Sequence, residues 1–409
     1  MRVRLVGVAA VAVYLLAACA PHSSAGSATP TPATPSTTSL PSSIEGLATF
    51  FASYSGTYRT AAGDTWALSL QGLLVNLRSG MARQLAPEGR NRFTVGPSVG
   101  ETSPPDGEVS FKMCACGKAI ELDGHGGATG DFTAPRLKYT EREVHFLSGI
   151  VTFGATLTEP ADGTNLPAIA LVHGSGVQPR PLFSLWANFY ASLGFAVLNY
   201  DKRGTGESGG SYPGEYPTPT NLSIYADDAI AAARFLRSLP EVDKSRVGFH
   251  GGSQGGWTVP LALSRAPEMS FAILVSAPAV GVEETVYFKD LSGGSAYVPT
   301  ISDAEQDAQT RAVTGGYDPA PALSALHVPT LWIYGEKDRQ VPVRLSIEKL
   351  HQVTGKDLSI KVLPGGWHGL TETPSGLEQE ELTSKRFAQG LFTDMAGWAK
   401  THGLTATTL

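Results

Sequence analysis

Two textures of apolar and polar residues divide the chain. From about Ile44 to Lys138, short apolar or alternating runs are separated by turn residues. "SGTYRTA", "TWALSLQ", "LLVNLRSG", "NRFTVGP", "GEVSFKMC" and "KAIELDG" each read as a strand of five to eight residues. Glycines, Asn-Arg and Pro-Pro-Asp-Gly punctuate them, and no long segment carries the 3.6-residue period of a helix. This pattern predicts a small antiparallel sheet or open barrel. From about Glu143 the texture changes. "VHFLSGIVTFGATLTEP" predicts a hairpin turning at Ser148-Gly149. Continuous apolar runs follow: "PAIALVHGSG", "GFAVLNYDKRG", "SRVGFHGG", "FAILVSAP", "PTLWIYGEKD" and "LSIKVLPGGWHG". Amphipathic stretches such as "IYADDAIAAARFLRSLP" lie between them. Strands without alternation are buried on both faces, so the pattern predicts a mainly parallel sheet covered by helices on each side.

The first residues belong to neither region. Arg2 and Arg4 precede the apolar run "LVGVAAVAVYLLAA" and then Cys19. The run is short for a membrane span and reads as an export signal. Residues 20–43 are Pro, Ser, Thr and Ala with almost no charge, a composition that cannot offset the entropy of ordering, and they read as an extended tether. The organisation expected is therefore signal 1–19, tether 20–43, β-rich domain 44–140 and α/β domain 141–409, with a small cap inserted at about 281–320.

Composition adds exclusions. Formal net charge is −6, without a basic stripe, which argues against nucleic acid as a partner. Of the three cysteines, Cys114 and Cys116 stand in "KMCACGK". A C-x-C bridge closes a strained ring and two ligands make a poor metal site, so both are read as thiols without chemistry. No metal or cofactor is expected.

Polar clusters fall at the carboxyl ends of the predicted parallel strands, where open α/β sheets place their ligands. Gly251-Gly252-Ser253-Gln254-Gly255 lies between a strand and a helix-like run. There the turn would be tight enough to demand glycine two residues to either side of Ser253. Asp338 ends one later strand segment and His368 the next. A serine hydroxyl needs a base, and the base needs an orienting carboxylate, so this set can supply a nucleophile, a base and its anchor.

The order Ser253, Asp338, His368 resembles the α/β-hydrolase superfamily, as do "HGSG" at 173–176 and "DKRGTGES" at 201–208. The resemblance covers about residues 143–404. It implies an α/β-hydrolase fold with a roughly eight-stranded sheet and a small cap. It also implies catalysis by Ser253, His368 and Asp338, with an oxyanion hole formed by the N–H groups of Gln254 and Ser175. Asp201 and Arg203 are read as residues that hold a loop. His173 is read as a brace, and His250 as a packed strand residue below the site. Asp227 and Asp228 lie within a helix and face the wrong way to serve. Glu283 and Glu284 are rivals to Asp338. Similarly, "LAAC" at 16–19 resembles the lipobox of bacterial lipoproteins. That implies cleavage before Cys19, its lipidation, and a chain tethered to the outer face of the cell membrane.

The expected activity is hydrolysis of small carboxylic esters with short to medium acyl chains through an acyl-enzyme, since the cap is small for a lipase lid. A serine at position 253 excludes a dehalogenase, which would need aspartate there. An exopeptidase or amidase is the alternative, with Glu283 and Glu284 available to anchor a peptide terminus. A binding lipoprotein with a silent hydrolase fold is the other.

Overall fold

The structure is a computed structural model that describes residues 40–353, 357–405, 407 and 409. The expected signal, Cys19 and nearly all of the tether lie outside the described residues.

The first sheet is an antiparallel meander of eight strands in chain order. They are β1 (Gly56–Arg59), β2 (Thr65–Leu68), β3 (Leu73–Asn76), β4 (Ala82–Gly89), β5 (Arg92–Val95), β6 (Glu108–Met113), β7 (Ala119–His125) and β8 (Phe132–Pro135). A bridge between Tyr58 and Arg136, with Leu137 N donating to Thr57 O at 2.8 Å, brings the last strand back to the first. The sheet is thereby nearly closed into a barrel. Helix α1 (Ile44–Phe51) is capped by the Ser43 hydroxyl, and its Leu47 and Phe51 join Tyr58, Trp66, Phe93 and Phe111 in the barrel core.

Two of these strands and α1 went unread in the sequence. β4 carries Arg83 and Gln84 into buried positions, where their side chains donate to backbone carbonyls of Lys385 and Gln71. Its polar residues hid a buried strand. The reading of Cys114 and Cys116 as free thiols is also corrected. A four-residue turn between β6 and β7, closed by Gly117 N to Cys114 O, holds their Cα atoms 5.2 Å apart, and a disulfide joins them.

The second sheet runs β16-β15-β14-β13-β11-β12-β10-β9. Its strands are β9 (Tyr139–Ser148), β10 (Val151–Pro160), β11 (Leu166–Val172), β12 (Ala196–Tyr200), β13 (Val242–Gly252), β14 (Phe271–Val275), β15 (Thr330–Gly335) and β16 (Leu358–Leu363). β9, β10 and β12 pair antiparallel, and every other pair is parallel. The expected hairpin turns at Gly149, whose φ of 58° suits glycine. This is an α/β-hydrolase fold.

The helices are α2 (Ser184–Ser192), α3 (Pro219–Ser238), α4 (Gly255–Arg265), α5 (Val282–Leu291), α6 (Asp303–Arg311), α7 (Ala320–Ser324), α8 (Val343–Val353), α9 (Glu378–Glu381) and α10 (Leu391–Thr401). α3 is amphipathic as its spacing predicts, and buries Ala226, Ala229, Ala233 and Leu236 on one face of the sheet together with α4. α2 and α10 cover the other face. The outer surface of the barrel joins that second layer. Leu74 points into the barrel, whereas Leu73 and Val75 on either side belong to the same apolar cluster as Trp186, Phe189 and Phe392. The two-residue period of a strand makes β3 a shared wall.

Candidate active site

The parallel strands end along one edge, and the site grows from three of those ends. β13 stops at Gly252 and α4 starts at Gly255, leaving two residues for the reversal. Ser253 adopts φ +50°, in the left-handed region that costs a non-glycine residue of order 1–3 kcal/mol. Two hydrogen bonds hold it: Ser253 N to Val275 O at 3.1 Å and Gly256 N to Ser253 O at 2.7 Å. Glycine is needed at 251, where a Cβ would lie 2.8 Å from Val259 Cγ2. After the serine the requirement falls one residue later than expected. A Cβ on Gly255 meets nothing nearer than Val172 O at 3.8 Å, whereas one on Gly256 would lie 2.5 Å from Pro278 O.

The neighbouring strand end is strained in the same sense. Ser276 has φ +47°, and its hydroxyl donates to His368 O at 2.7 Å. Its N–H donates to Ile333 O at 2.8 Å. The ends of β13, β14 and β15 and the histidine loop are thus tied to one another through Val275 and Ser276.

Asp338 lies in the turn after β15. Its Oδ1 accepts from Gln340 N at 2.8 Å and Val341 N at 3.0 Å, and its Oδ2 accepts from His368 Nδ1 at 2.7 Å. Both side chains are buried. A carboxylate only accepts, so Nδ1 carries the hydrogen of this bond, and the neutral tautomer it selects has its lone pair on Nε2. Nε2 is buried without a hydrogen-bond partner. The structure therefore brings Asp338 and His368 together, and it does not hydrogen-bond Ser253 Oγ to the ring.

Gln254 is buried at the N-terminus of α4. Ser175 is half-buried in the turn after β11. His173 opens that turn. Its Nε2–H donates to Tyr200 O at 2.7 Å, and its ring stands edge-on to Tyr200 and Phe183. Burial pulls its pKa down to about 3, with Lys202 adding to the shift. In the following loop, Asp201 accepts from the N–H groups of Arg180 and Glu207, and Arg203 forks onto the buried Asp228 carboxylate. Asp227, its neighbour, pairs at the surface with Arg265. His250 lies in β13 with Nδ1 on the Tyr190 hydroxyl at 2.9 Å and its ring against Trp186.

The sequence reading passed over Lys202. It is buried, and its Nζ donates to Gly174 O at 2.6 Å, Gly176 O at 3.1 Å and Gln254 Oε1 at 3.2 Å. The Tyr225 and Tyr212 rings lie 4.5 Å and 5.5 Å from it. Burial lowers its pKa from 10.5 to about 7, against an upward pull from Glu215. A lysine two residues after the apolar strand "FAVLNY" was the available signal.

The other two carboxylates weighed for this site are engaged elsewhere. Glu283 accepts from the Tyr216 hydroxyl, and Glu284 Oε2 accepts from Gly281 N at 2.7 Å, capping α5. The segment 281–320, expected as a cap, folds into α5 and α6 and ends where α7 begins, with α6 over the predicted helical stretch and Tyr287 and Tyr297 exposed.

Human acylamino-acid-releasing enzyme is 25% identical over 252 residues, 59% of this chain and 32% of that protein. Esterase EstD of Thermotoga maritima is 27% identical over 237 residues, 51% of this chain and 55% of that one. The chain thus spans about a third of the first relative and about half of the second. The solved acylaminoacyl peptidase of Pyrococcus horikoshii has 16% identity and a TM-score of 0.44, covering 84% of this chain and 55% of that one. The sequence profile of the prolyl oligopeptidase family, peptidase S9, matches residues 181–394, a span that is just over half of the chain and contains Ser253, Asp338 and His368. The chain belongs to the prolyl oligopeptidase family of serine hydrolases.

Proposed function

We propose that the protein hydrolyses carboxylic esters of short to medium acyl chain through an acyl-enzyme on Ser253. The observation that carries this reading is the strained Ser253 turn at a helix N-terminus, beside the buried Asp338–His368 pair. His368 Nε2, the accepting nitrogen in the tautomer that the Nδ1–H bond to Asp338 selects, takes the hydroxyl proton as Ser253 Oγ attacks the carbonyl carbon. The N–H groups of Gln254 and Ser175 receive the oxyanion, and losing one such donor costs about 2.7–4 kcal/mol of barrier. The proton passes from His368 to the leaving alcohol, and water then releases the acyl group by the same steps.

Cleavage of an amide in an acylated peptide is the second reading, and the acylamino-acid-releasing relatives favour it. For an exopeptidase, Glu283 and Glu284 as anchors of a peptide terminus would have to share their carboxylates with Tyr216 and Gly281 N, to which they are already bonded. We also propose that Cys19 is lipidated and tethers the enzyme to the outer face of the cell membrane. Incorporation of labelled palmitate, abolished by Cys19→Ser, is the outcome expected.

The deciding experiment is a chain-length series of p-nitrophenyl esters, acetate to palmitate, with N-acetylalanine p-nitroanilide beside it. Ester hydrolysis that Ser253→Ala abolishes is expected. Cleavage of the anilide alone would move the assignment to acylated peptides. Activity on neither, with no fluorophosphonate labelling of Ser253, would leave a binding protein on a silent hydrolase fold.

A further inference from the structure

Lys202 spans the two segments that carry the oxyanion donors in the reading above. An ammonium has three hydrogens, and here three acceptors meet them. Two are the carbonyls that flank Ser175, and the third is the side chain of Gln254. A buried ammonium with no carboxylate hydrogen-bonded to it is costly, and a methionine would fill similar space at less cost. Its contacts therefore call for a role beyond packing.

The geometry of the peptide unit supplies one. Gly174 C=O and Ser175 N–H belong to the same planar trans peptide and point in opposite directions. Fixing the carbonyl on Lys202 fixes the N–H away from it. Positive charge on the carbonyl also polarises the peptide and strengthens that N–H as a donor. The bond to Gln254 Oε1 couples the turn to the start of α4.

We propose that Lys202 is a positioning residue of the oxyanion hole, setting the direction of the Ser175 N–H and locking its turn to the helix that presents Ser253. The proposal rests on Ser253 being the nucleophile.

It has a pH signature. As pH rises through about 7, Lys202 becomes an amine with two hydrogens for three acceptors. Other titratable and polar groups face it. His173, in the turn after β11, has been pulled down to about 3 and stays neutral. Tyr212 is pushed up to about 12, and burial raises Tyr200 and Tyr225 further. Burial raises the Asp228 carboxyl of α3 while the Arg203 fork pulls it down, and Gln254 of α4 has no charge. The Glu215 carboxylate acts from the loop to hold the Lys202 proton. An alkaline limb in kcat is the consequence.

The test compares wild type, Lys202→Met and Glu215→Gln on p-nitrophenyl acetate, corrected for spontaneous hydrolysis, from about pH 5 to 9. Lys202→Met should lower kcat by about 100-fold, the effect of one misplaced oxyanion donor, with KM within about twofold and no alkaline limb. Glu215→Gln, at an exposed position, should keep the plateau kcat and move the limb to lower pH. A folded Lys202→Met protein with wild-type kcat overturns the proposal. So does a wild type without the limb, or a limb that Glu215→Gln leaves in place, which decides the matter if Lys202→Met does not fold. A wild type that neither hydrolyses the ester nor labels with fluorophosphonate removes the Ser253 reading itself. An active wild type indifferent to both substitutions removes only the role of Lys202.

Discussion

Asp338 has two carboxylate oxygens and three donors. Oδ1 serves two N–H groups of its own turn, which fixes the carboxylate, and Oδ2 serves His368 Nδ1. Asp338→Asn leaves one acceptor oxygen for those donors, and the turn claims it. The amide then offers hydrogens to Nδ1, and the imidazole takes the tautomer that cannot accept from Ser253. We expect kcat on the p-nitrophenyl ester to fall by about 10⁴-fold, with KM changed little. Two other histidines act on stability. Burial lowers both His173 and His250 from 6.5 to about 3 in the folded chain. Once unfolded, they bind protons below 6.5, so their contribution is complete above that value and is lost as pH falls from 6.5 towards 3. Glu381 works in the opposite sense, because its buried carboxyl is raised well above 4.5 and favours the folded state less as pH rises. Comparing wild type with His250→Asn, in which Glu381 is common, isolates one imidazole. Across the acid window the wild type should lose up to about 1.4 kcal/mol more per pH unit, read from urea midpoints.

At the scale of an element, α4 decides whether the serine turn can form. Its first turn passes so close to the segment after β14 that Gly256 has no room for a Cβ, while Gly255 has. Pro278 O and N are backbone atoms and cannot swing aside. Gly256→Ala should therefore push the helix N-terminus away, lowering stability by about 1–3 kcal/mol and kcat by about 100-fold. Gly255→Ala should keep activity and gain up to about 1 kcal/mol of helix propensity. Thermal melts and ester kinetics on the two variants separate these outcomes. The pair also marks how far the sequence could be read. β11, β12, β14, β15 and the second half of β13 were legible because strands buried on both faces must be apolar throughout, and the partly exposed edge strand β16 was legible from its remaining apolar residues. The order of Ser253, Asp338 and His368 was legible because each follows one of these strands. Gly256 was not, since its need for glycine comes from Pro278, more than twenty residues away. β4 was hidden because Arg83 and Gln84 are satisfied inside the protein by carbonyls that no local pattern announces. Lys202 was hidden for the same reason, its acceptors lying in the turn after β11 and at the start of α4.

The whole molecule joins barrel and hydrolase more firmly than a tethered pair of domains. The segment after His368 runs back across the barrel and exchanges backbone hydrogen bonds with it: Gly100 N to Leu382 O at 3.0 Å, Val99 N to Ser384 O at 2.8 Å, Ala82 N to Lys385 O at 3.0 Å and Phe387 N to Gly80 O at 2.8 Å. On the other side of the contact, Asn188 of α2 donates to Leu68 O at 2.8 Å, and Leu70 N donates to Ser184 Oγ at 2.9 Å. Between these polar seams, Leu73, Val75 and Val99 share one apolar cluster with α2 and α10. The apolar cluster is continuous across this contact, so barrel and hydrolase should unfold as one unit. Val75→Asp tests this, because it puts a carboxyl into the shared cluster without touching the barrel interior, where Leu74 points. The cost should reach about 3 kcal/mol or more. Hydrogen exchange in β6 and β7, which carry none of these seam bonds, reports on the barrel, and fluorophosphonate labelling of Ser253 reports on the hydrolase. Both should fail at one temperature in wild type, and both should shift down together in Val75→Asp. A barrel that loses protection while Ser253 still labels would mean that the shared cluster does not couple them. The histidine loop would then be held by the α/β sheet alone.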